Sequence, residues 1–210
     1  MTSLKSGGKL GLMKKLSTYL FLILFSFSAP SFADDLSEYE IEGISLGDSL
    51  LDHLSKEEII NEIERNKPTY NYLTDEFGEV YLPGKYKDYD NLSVFVKPKD
   101  KNYLIYYIGG TVYYDDNIKQ CYAKQKEIIK EFSSQFKFIR KEEKTFAFPW
   151  DPTGKSTTRY LSLFLDSGDE VSVACSEYEK SLKIKNNWAD SLIIEILKKE
   201  QSAWMRKHIN

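Results

Sequence analysis

The first residue pattern that could carry chemistry is a Gly-Lys-Ser triplet in the second half of the chain. Residues 154–156 have this sequence, which also ends the phosphate-binding loop of nucleotide-binding proteins. That loop needs a glycine where this chain has Pro149, and it needs a helix after the serine. The residues after Ser156 are predicted to form a strand, so the sequence favours a hairpin loop over a phosphate site.

A second block, residues 47–50, reads Gly-Asp-Ser-Leu. It resembles the nucleophile block of the esterase family that carries this sequence, which implies a catalytic serine at Ser49. The family also has a later Asp-x-x-His, but here Asp190 is followed three residues later by Ile193. Because the general base has no candidate, Asp48 as a helix N-cap is the simpler interpretation.

Metal and cofactor sites have little support in the sequence. The two histidines, His53 and His208, lie at opposite ends of the chain without the paired spacing of a metal site. The acidic residues at 88–90 and 115–116 do not match a calcium loop, and helix capping explains the second pair. The sequence therefore predicts no metal, no cofactor and no catalytic site, which favours a non-enzymatic protein.

The N-terminus has the pattern of a secretory signal peptide. Residues 13–15 are Met-Lys-Lys, residues 16–27 are almost all apolar, and small residues precede an acidic start. We predict cleavage between Ala33 and Asp34, with residues 1–12 as an extension ahead of a natural start at Met13. The alternative is an uncleaved anchor, although the apolar run is shorter than the about 20 residues that span a bilayer.

Export would place the mature chain in the periplasm or outside the cell, without a transmembrane span after cleavage. Removing the four lysines of residues 1–33 lowers the formal net charge from −3 to −7. An acidic protein is a poor partner for nucleic acid. The remaining residues, 34–210, are long enough for one domain, and sub-lobes at 41–115 and 116–210 are a further option.

The mature chain contains two cysteines, Cys121 and Cys175. In an oxidising compartment a pair of cysteines favours a disulfide, and the alternative is two separate buried thiols. Cys121 lies on the apolar stripe of a helix predicted at 116–137. Cys175 lies on the apolar face of a predicted strand, so the side-chain directions agree with a bridge worth about 3–4 kcal/mol.

The pattern of elements predicts an α+β fold, with helices packed on antiparallel sheet and one disulfide. Two copies of a helix–meander unit would account for the order of elements. A polar loop is expected at 181–187, and a bulge or sharp bend at Gly109-Gly110. Strands are predicted at 91–97, 102–108, 144–148, 159–165, 170–176 and 190–198.

The start of the mature chain combines two glycines with a helix cap at residues 43–48. This opening resembles the start of small exported bacterial proteins of the outer-membrane small protein A type and of the β-lactamase-inhibitor-protein type, over residues 41–115. The resemblance implies a helical pair packed on an antiparallel sheet. The lipid-bearing cysteine of the outer-membrane family is missing, and no functional residue carries over.

A long segment rich in aromatic residues, 66–91, is the candidate contact surface. Tyrosine is enriched at recognition surfaces, and the alternative is that these rings pack in the core. We therefore expect an exported, non-catalytic binding or envelope-accessory protein whose partner is an envelope protein or glycan. The alternatives are a hydrolase of envelope substrates and an inhibitor or assembly factor. The candidate contact residues are Tyr70, Tyr72, Phe77, Tyr81, Tyr86 and Tyr89.

Overall fold

A seven-stranded antiparallel sheet is the main element of the computed structural model, which describes residues 35–68, 74–115, 117–148 and 151–208. The strand order is β3-β4-β5-β9-β8-β7-β6. The strands are β3 (Gly78–Tyr81), β4 (Asn91–Val96), β5 (Ile105–Tyr113), β6 (Arg140–Ala147), β7 (Thr157–Phe164), β8 (Glu170–Glu177) and β9 (Ser191–Leu197).

In the described part of the chain, four α-helices accompany this sheet, together with a small two-stranded sheet, β1 (Glu40–Ile41) and β2 (Ile44–Ser45). The helices are α1 (Lys56–Asn66), α2 (Ile118–Gln135), α3 (Lys180–Asn186) and α4 (Lys199–His208). The predicted α+β class with helices on antiparallel sheet is therefore confirmed.

The two predicted helix–meander units are present and share one sheet. Helix α1 precedes the meander β3-β4-β5, and α2 precedes the meander β6-β7-β8, which continues through α3 to β9. The units join where β9 pairs with β5 in antiparallel register, for example Gly110 opposite Ile194. Strand β9 thus lies inside the sheet and leaves β3 and β6 as its edges.

Helix α2 packs on one face of the sheet and makes the principal core with it. The buried side chains of α2 include Cys121, Ile129 and Phe132, in the predicted stripe. Cys121 and Cys175 of β8 form a disulfide with a Cα–Cα distance of 6.0 Å. The predicted disulfide is therefore confirmed, and the alternative of two separate buried thiols is wrong.

The structure corrects two details of the predicted elements. The predicted loop at 181–187 contains α3, because the Glu179 side chain caps it by accepting from the Ser181 amide at 2.7 Å. The predicted bulge at Gly109-Gly110 is also wrong, since β5 runs straight through both glycines. The irregularity lies just before them, where Tyr106 is skipped between the pairs of Ile105 and Tyr107 with β4.

Candidate functional site

The described members of the predicted aromatic contact surface, which are Phe77, Tyr81, Tyr86 and Tyr89, do not lie together on one surface. Tyr70 and Tyr72 fall outside the described residues. Phe77 is completely buried, with its ring centroid 5.4 Å from that of Trp204, so its assignment to a contact surface is wrong. A phenylalanine with no polar tip is better buried than exposed, which explains the difference.

Of the other three, Tyr86 and Tyr89 pack against the principal core as partly buried residues. The Tyr86 hydroxyl donates to the Leu82 carbonyl at 2.8 Å, and burial raises the pKa of Tyr89 well above its usual value. Tyr81, in contrast, lines a large cavity described below. Whether these tyrosines contact a partner stays a prediction.

The loop around the Gly-Lys-Ser triplet is organised by its own carboxylate. Asp151 accepts hydrogen bonds from the amides of Thr153 at 2.7 Å, Lys155 at 3.1 Å and Ser156 at 2.7 Å. Burial alone would raise the pKa of Asp151, but the hydrogen bonds from Ser156 and Thr153 outweigh it and hold this pKa below its usual value. The amides that a phosphate would need are therefore already occupied by a negative group.

The Gly-Asp-Ser-Leu block is likewise structural. Ser49, not Asp48, caps a single 3-10 turn at Leu50–Asp52 by accepting from the Leu51 amide. The Ser49 hydroxyl also donates to the Asn102 carbonyl at 2.8 Å. Asp48 accepts from the Ser45 amide at 2.8 Å, so both side chains hold the local turn.

The face of the sheet opposite α2 forms the floor of an open cavity of about 1320 Å³. Small polar side chains occupy the centre of this floor. Ser162, Ser172 and Glu195 are cross-strand neighbours on β7, β8 and β9, and Gly109 of β5 is opposite Glu195. Hydrogen bonds join Ser162 to Ser172 at 3.1 Å and Thr158 to Ser176 at 3.0 Å.

Large aromatic side chains surround this floor of small residues. The rings of Phe146 and Tyr160 stack with centroids 5.3 Å apart near the β6 edge. At one end, the rings of Phe148, Tyr178 and Trp188 form a cluster with centroid distances of 5.0 to 5.7 Å. The centre of the cavity floor is thus lined by small polar side chains, and its border by large aromatic side chains.

Helix α4 closes the other end of the cavity. Trp204 of this helix packs on Phe95 with a centroid distance of 6.0 Å, in a small second hydrophobic cluster. Ser202 and Arg206 both donate to Glu170 on β8, at 2.5 Å and 3.0 Å. The Arg206 guanidinium also lies 5.0 Å from the centroid of the Phe164 ring, which fixes the helix against the sheet.

Two glutamates on the floor are buried without a basic partner among the described residues. Glu79 of β3 and Glu195 of β9 are only 6% and 7% exposed. The Tyr107 hydroxyl donates to Glu195 at 3.3 Å. The Oε2 atom of Glu79 has no hydrogen-bond partner in the described part of the chain.

These environments raise the pKa of both carboxyls. Burial raises the pKa of Glu79 to about 7, and hydrogen bonds with Ser93 and Tyr81 offset it in part. Burial, followed by the charge of Glu170, raises the pKa of Glu195 to about 8. A buried carboxyl without a cation resists ionisation, so both groups hold a proton for much of the time at neutral pH.

The described part of the chain contains neither a membrane-spanning helix nor a metal-binding cluster. Within the described ranges, no helix combines the length and the apolar character that crossing a membrane requires. The described residues also contain no cluster of three or more His, Cys, Asp or Glu side chains that could hold a metal ion.

The floor of the cavity was missed by sequence reasoning, although the sequence contains a signal for it. Strand β9 reads Leu-Ile-Ile-Glu-Ile-Leu at 192–197, with Glu195 alone in an apolar run. An ionisable residue in a strand this apolar is buried if the strand is central, and a buried unpaired carboxyl points to a functional site. The serines at 162 and 172 alternate with apolar residues and share that face.

No protein-family model, curated protein or solved structure gives a significant match to this chain. The resemblance to small exported α+β proteins over residues 41–115 therefore stays a prediction.

Proposed function

We propose that this chain is an exported, non-catalytic binding protein whose ligand site is the cavity opposite α2. The observation that carries the proposal is the contrast between a floor of small polar side chains and an aromatic border. A face that packed against a second layer of the core would carry apolar side chains. Here α4 covers only one end of the face, and the rest stays open. Polar groups placed in a concave, aromatic-lined site are typical of ligand recognition.

The size of the cavity favours an extended ligand. Its volume of about 1320 Å³ exceeds the roughly 300–1,000 Å³ of small-molecule pockets. Tyrosine and tryptophan rings such as Tyr113 and Trp188 are partly exposed at the border, as at protein-recognition surfaces. We propose a polypeptide segment of an envelope protein as the ligand. The disulfide supports an oxidising compartment, either the periplasm or the medium.

The test is capture from an envelope extract by immobilised protein comprising residues 34–210. We expect Thr111→Trp, which places a large ring on the floor two residues along β5 from Gly109, to abolish capture of the partner. Lys126→Trp on the exposed side of α2 is the matched control and should capture normally. Both variants are first checked for unchanged thermal unfolding. Equal capture by the two folded variants would refute the proposal, and recovery of glycan without protein would refute the polypeptide ligand.

The outcome of the same experiment separates an inhibitor or assembly factor from a general binder. If the captured partner is an enzyme, adding the purified protein at increasing concentration and measuring that enzyme's rate identifies inhibition.

A hydrolase of envelope substrates is the second candidate, and a specific observation favours it. Carboxyls with raised pKa values on the floor of a large cavity, such as Glu195, are suited to general acid catalysis near neutral pH. If the wild-type protein hydrolyses peptidoglycan fragments or chromogenic glycosides and Glu195→Gln does not, the hydrolase function replaces the binding function. We expect no turnover from the wild-type protein.

A further inference from the structure

We propose that the floor between Glu79 and Glu195 is a subsite for a cationic group, namely the ammonium or guanidinium of a lysine or arginine in the bound polypeptide. We call these two glutamates together with Ser93 and Tyr107 the acidic subsite. This proposal rests on the proposed function, because it specifies the chemistry of a ligand in the same cavity.

The charges that line the cavity leave the acidic subsite without an internal cation. Arg206 already donates to Glu170 at 3.0 Å, and Lys144 lies 3.1 Å from Glu142. No ion pair reaches Glu79 or Glu195 among the described residues. A cavity with this excess of acid on its floor complements a positively charged ligand group.

One carboxyl oxygen of the acidic subsite has no hydrogen-bond partner among the described residues, and a donor on a ligand could bind it. Glu79 lines the cavity with 6% of its surface exposed, and its Oε2 atom has no partner among the described residues. Buried polar atoms are almost always hydrogen-bonded, so an unpaired carboxyl oxygen calls for a specific explanation. An ammonium or guanidinium carries only donors, which the Oε2 atom accepts once the carboxyl is ionised.

The backbone makes room for this arrangement at Gly109. A Cβ atom at this position would lie 2.2 Å from the Tyr107 hydroxyl oxygen. The tyrosine can therefore lie across β5 and donate to Glu195 on the neighbouring strand. The centroid of the Phe95 ring lies 4.9 Å from that of the Tyr107 ring. The subsite therefore has an aromatic wall, which would also favour a cation.

Binding of a cation to the acidic subsite should release protons. Both glutamates hold protons near neutral pH because they are buried without a cation, with pKa values of about 7 for Glu79 and about 8 for Glu195. A bound cation would favour the ionised carboxyls and release protons, so affinity should rise as the pH increases from 6 to 8. The other charged or titratable groups that line the cavity are Tyr81, Tyr113, Asp115, Glu142, Lys144, Tyr160, Glu170, Tyr178 and Arg206.

The experiment uses small probes and the protein comprising residues 34–210. N-acetyl-lysine amide and N-acetyl-arginine amide are titrated against N-acetyl-norleucine amide, which has a similar length and no charge. Binding is followed by the backbone amide shifts of Ser93 and Gly109. We expect saturable shifts with the two cationic probes only. Calorimetry in buffers of different ionisation enthalpy should show release of about one proton at pH 7.

The neutral variants Glu79→Gln and Glu195→Gln should each lower the affinity for cationic probes about tenfold, while keeping the shape of the side chain. They should also reduce the proton release. Glu143→Gln, at an exposed residue paired with Arg159, is the control and should bind like the wild type. Equal affinity for lysine and norleucine probes, or unchanged affinity in both glutamine variants, would overturn the subsite.

The partner captured in the previous experiment distinguishes failure of the subsite from failure of the function. If Thr111→Trp abolishes capture and the double variant Glu79→Gln/Glu195→Gln captures the partner with wild-type affinity, the cation subsite is wrong and the binding site stands. If all these variants capture the partner normally, both proposals are wrong.

Discussion

Gly109 and Gly110 are adjacent in β5, and each makes room for an aromatic ring on a different face of the sheet. Tyr107 lies over Gly109 on the cavity floor, and Tyr89 lies over Gly110 in the principal core. In most strands a glycine weakens the sheet because it packs no side chain. Here two rings replace the missing side chains.

Replacing Gly109 with alanine should therefore disturb the cavity floor. The new Cβ would displace Tyr107, whose hydroxyl is the far end of a side chain that can rotate, and the hydrogen bond to Glu195 would be lost. We expect a changed resonance of fluorotyrosine at position 107 and weaker binding of cationic probes.

The matched variant is Gly110→Ala, which collides with Tyr89 at 2.5 Å on the other face. It should lower the free energy of unfolding and leave the Tyr107 resonance in place. A Tyr107 resonance that does not respond to Gly109→Ala would contradict the assigned role of that glycine.

Among the elements, α2 and β8 were the most predictable from the sequence. A helix with one apolar stripe and a strand with one apolar face each have a period that local sequence reveals. The sequence predicts strand β6 only from residue 144, because most of its side chains are exposed and no alternation marks its start at Arg140. The sequence does not reveal helix α3, because this helix has only seven residues and one buried position, Leu182.

The disulfide ties α2 to β8 across 54 residues of sequence. In the chain-entropy model, closing a loop of this length stabilises the folded state by about 4 kcal/mol. We expect Cys121→Ala/Cys175→Ala to lower the free energy of unfolding by about that amount, measured by denaturant titration.

Reduced wild-type protein is the control for the packing of the two sulfur atoms that alanine lacks, because it keeps both cysteine side chains. A double variant as stable as the oxidised protein would show that the bridge contributes no stability. A helix that remains folded in the reduced protein would show that the apolar stripe of α2 is sufficient to hold it.

The candidate site is a property of the whole molecule, and this explains why sequence reasoning did not find it. All seven strands contribute side chains to the lining of the cavity, and the pairing of β5 with β9 brings Gly109 and Glu195 together from distant segments. Local patterns give the two faces of a strand, but they do not give the order of strands in a sheet. The sequence alone could predict the class of fold and the core face.

Stability should depend on pH through the two buried glutamates. Their pKa values in the folded state, about 7 for Glu79 and about 8 for Glu195, are above the unfolded value of 4.5. The folded state therefore binds more protons between about pH 4.5 and pH 8, and stability falls as the pH rises through this window. Each carboxyl contributes a slope of up to about 1.4 kcal/mol per pH unit.

We expect the midpoint of thermal unfolding to decrease from pH 5 to pH 8 and to level off above it. Carboxyls with a lowered pKa, such as Asp151, have the opposite effect. They stabilise the folded state near neutral pH, and this stabilisation is lost as the pH falls below about 4. Glu79→Gln/Glu195→Gln should flatten the decline. A wild-type midpoint that is constant between pH 5 and pH 8 would contradict buried, unpaired carboxyls at these positions.

The position of β9 inside the sheet also sets the order of events during biosynthesis. Residues 191–197 are synthesised after the other six strands, yet they separate β5 from β8. Until they emerge, each meander has an unpaired inner edge, and the sheet has long-range pairings still to form. A chain with this arrangement completes its native contacts late in synthesis. Truncation before Ser191 should leave two exposed strand edges and a protein that aggregates.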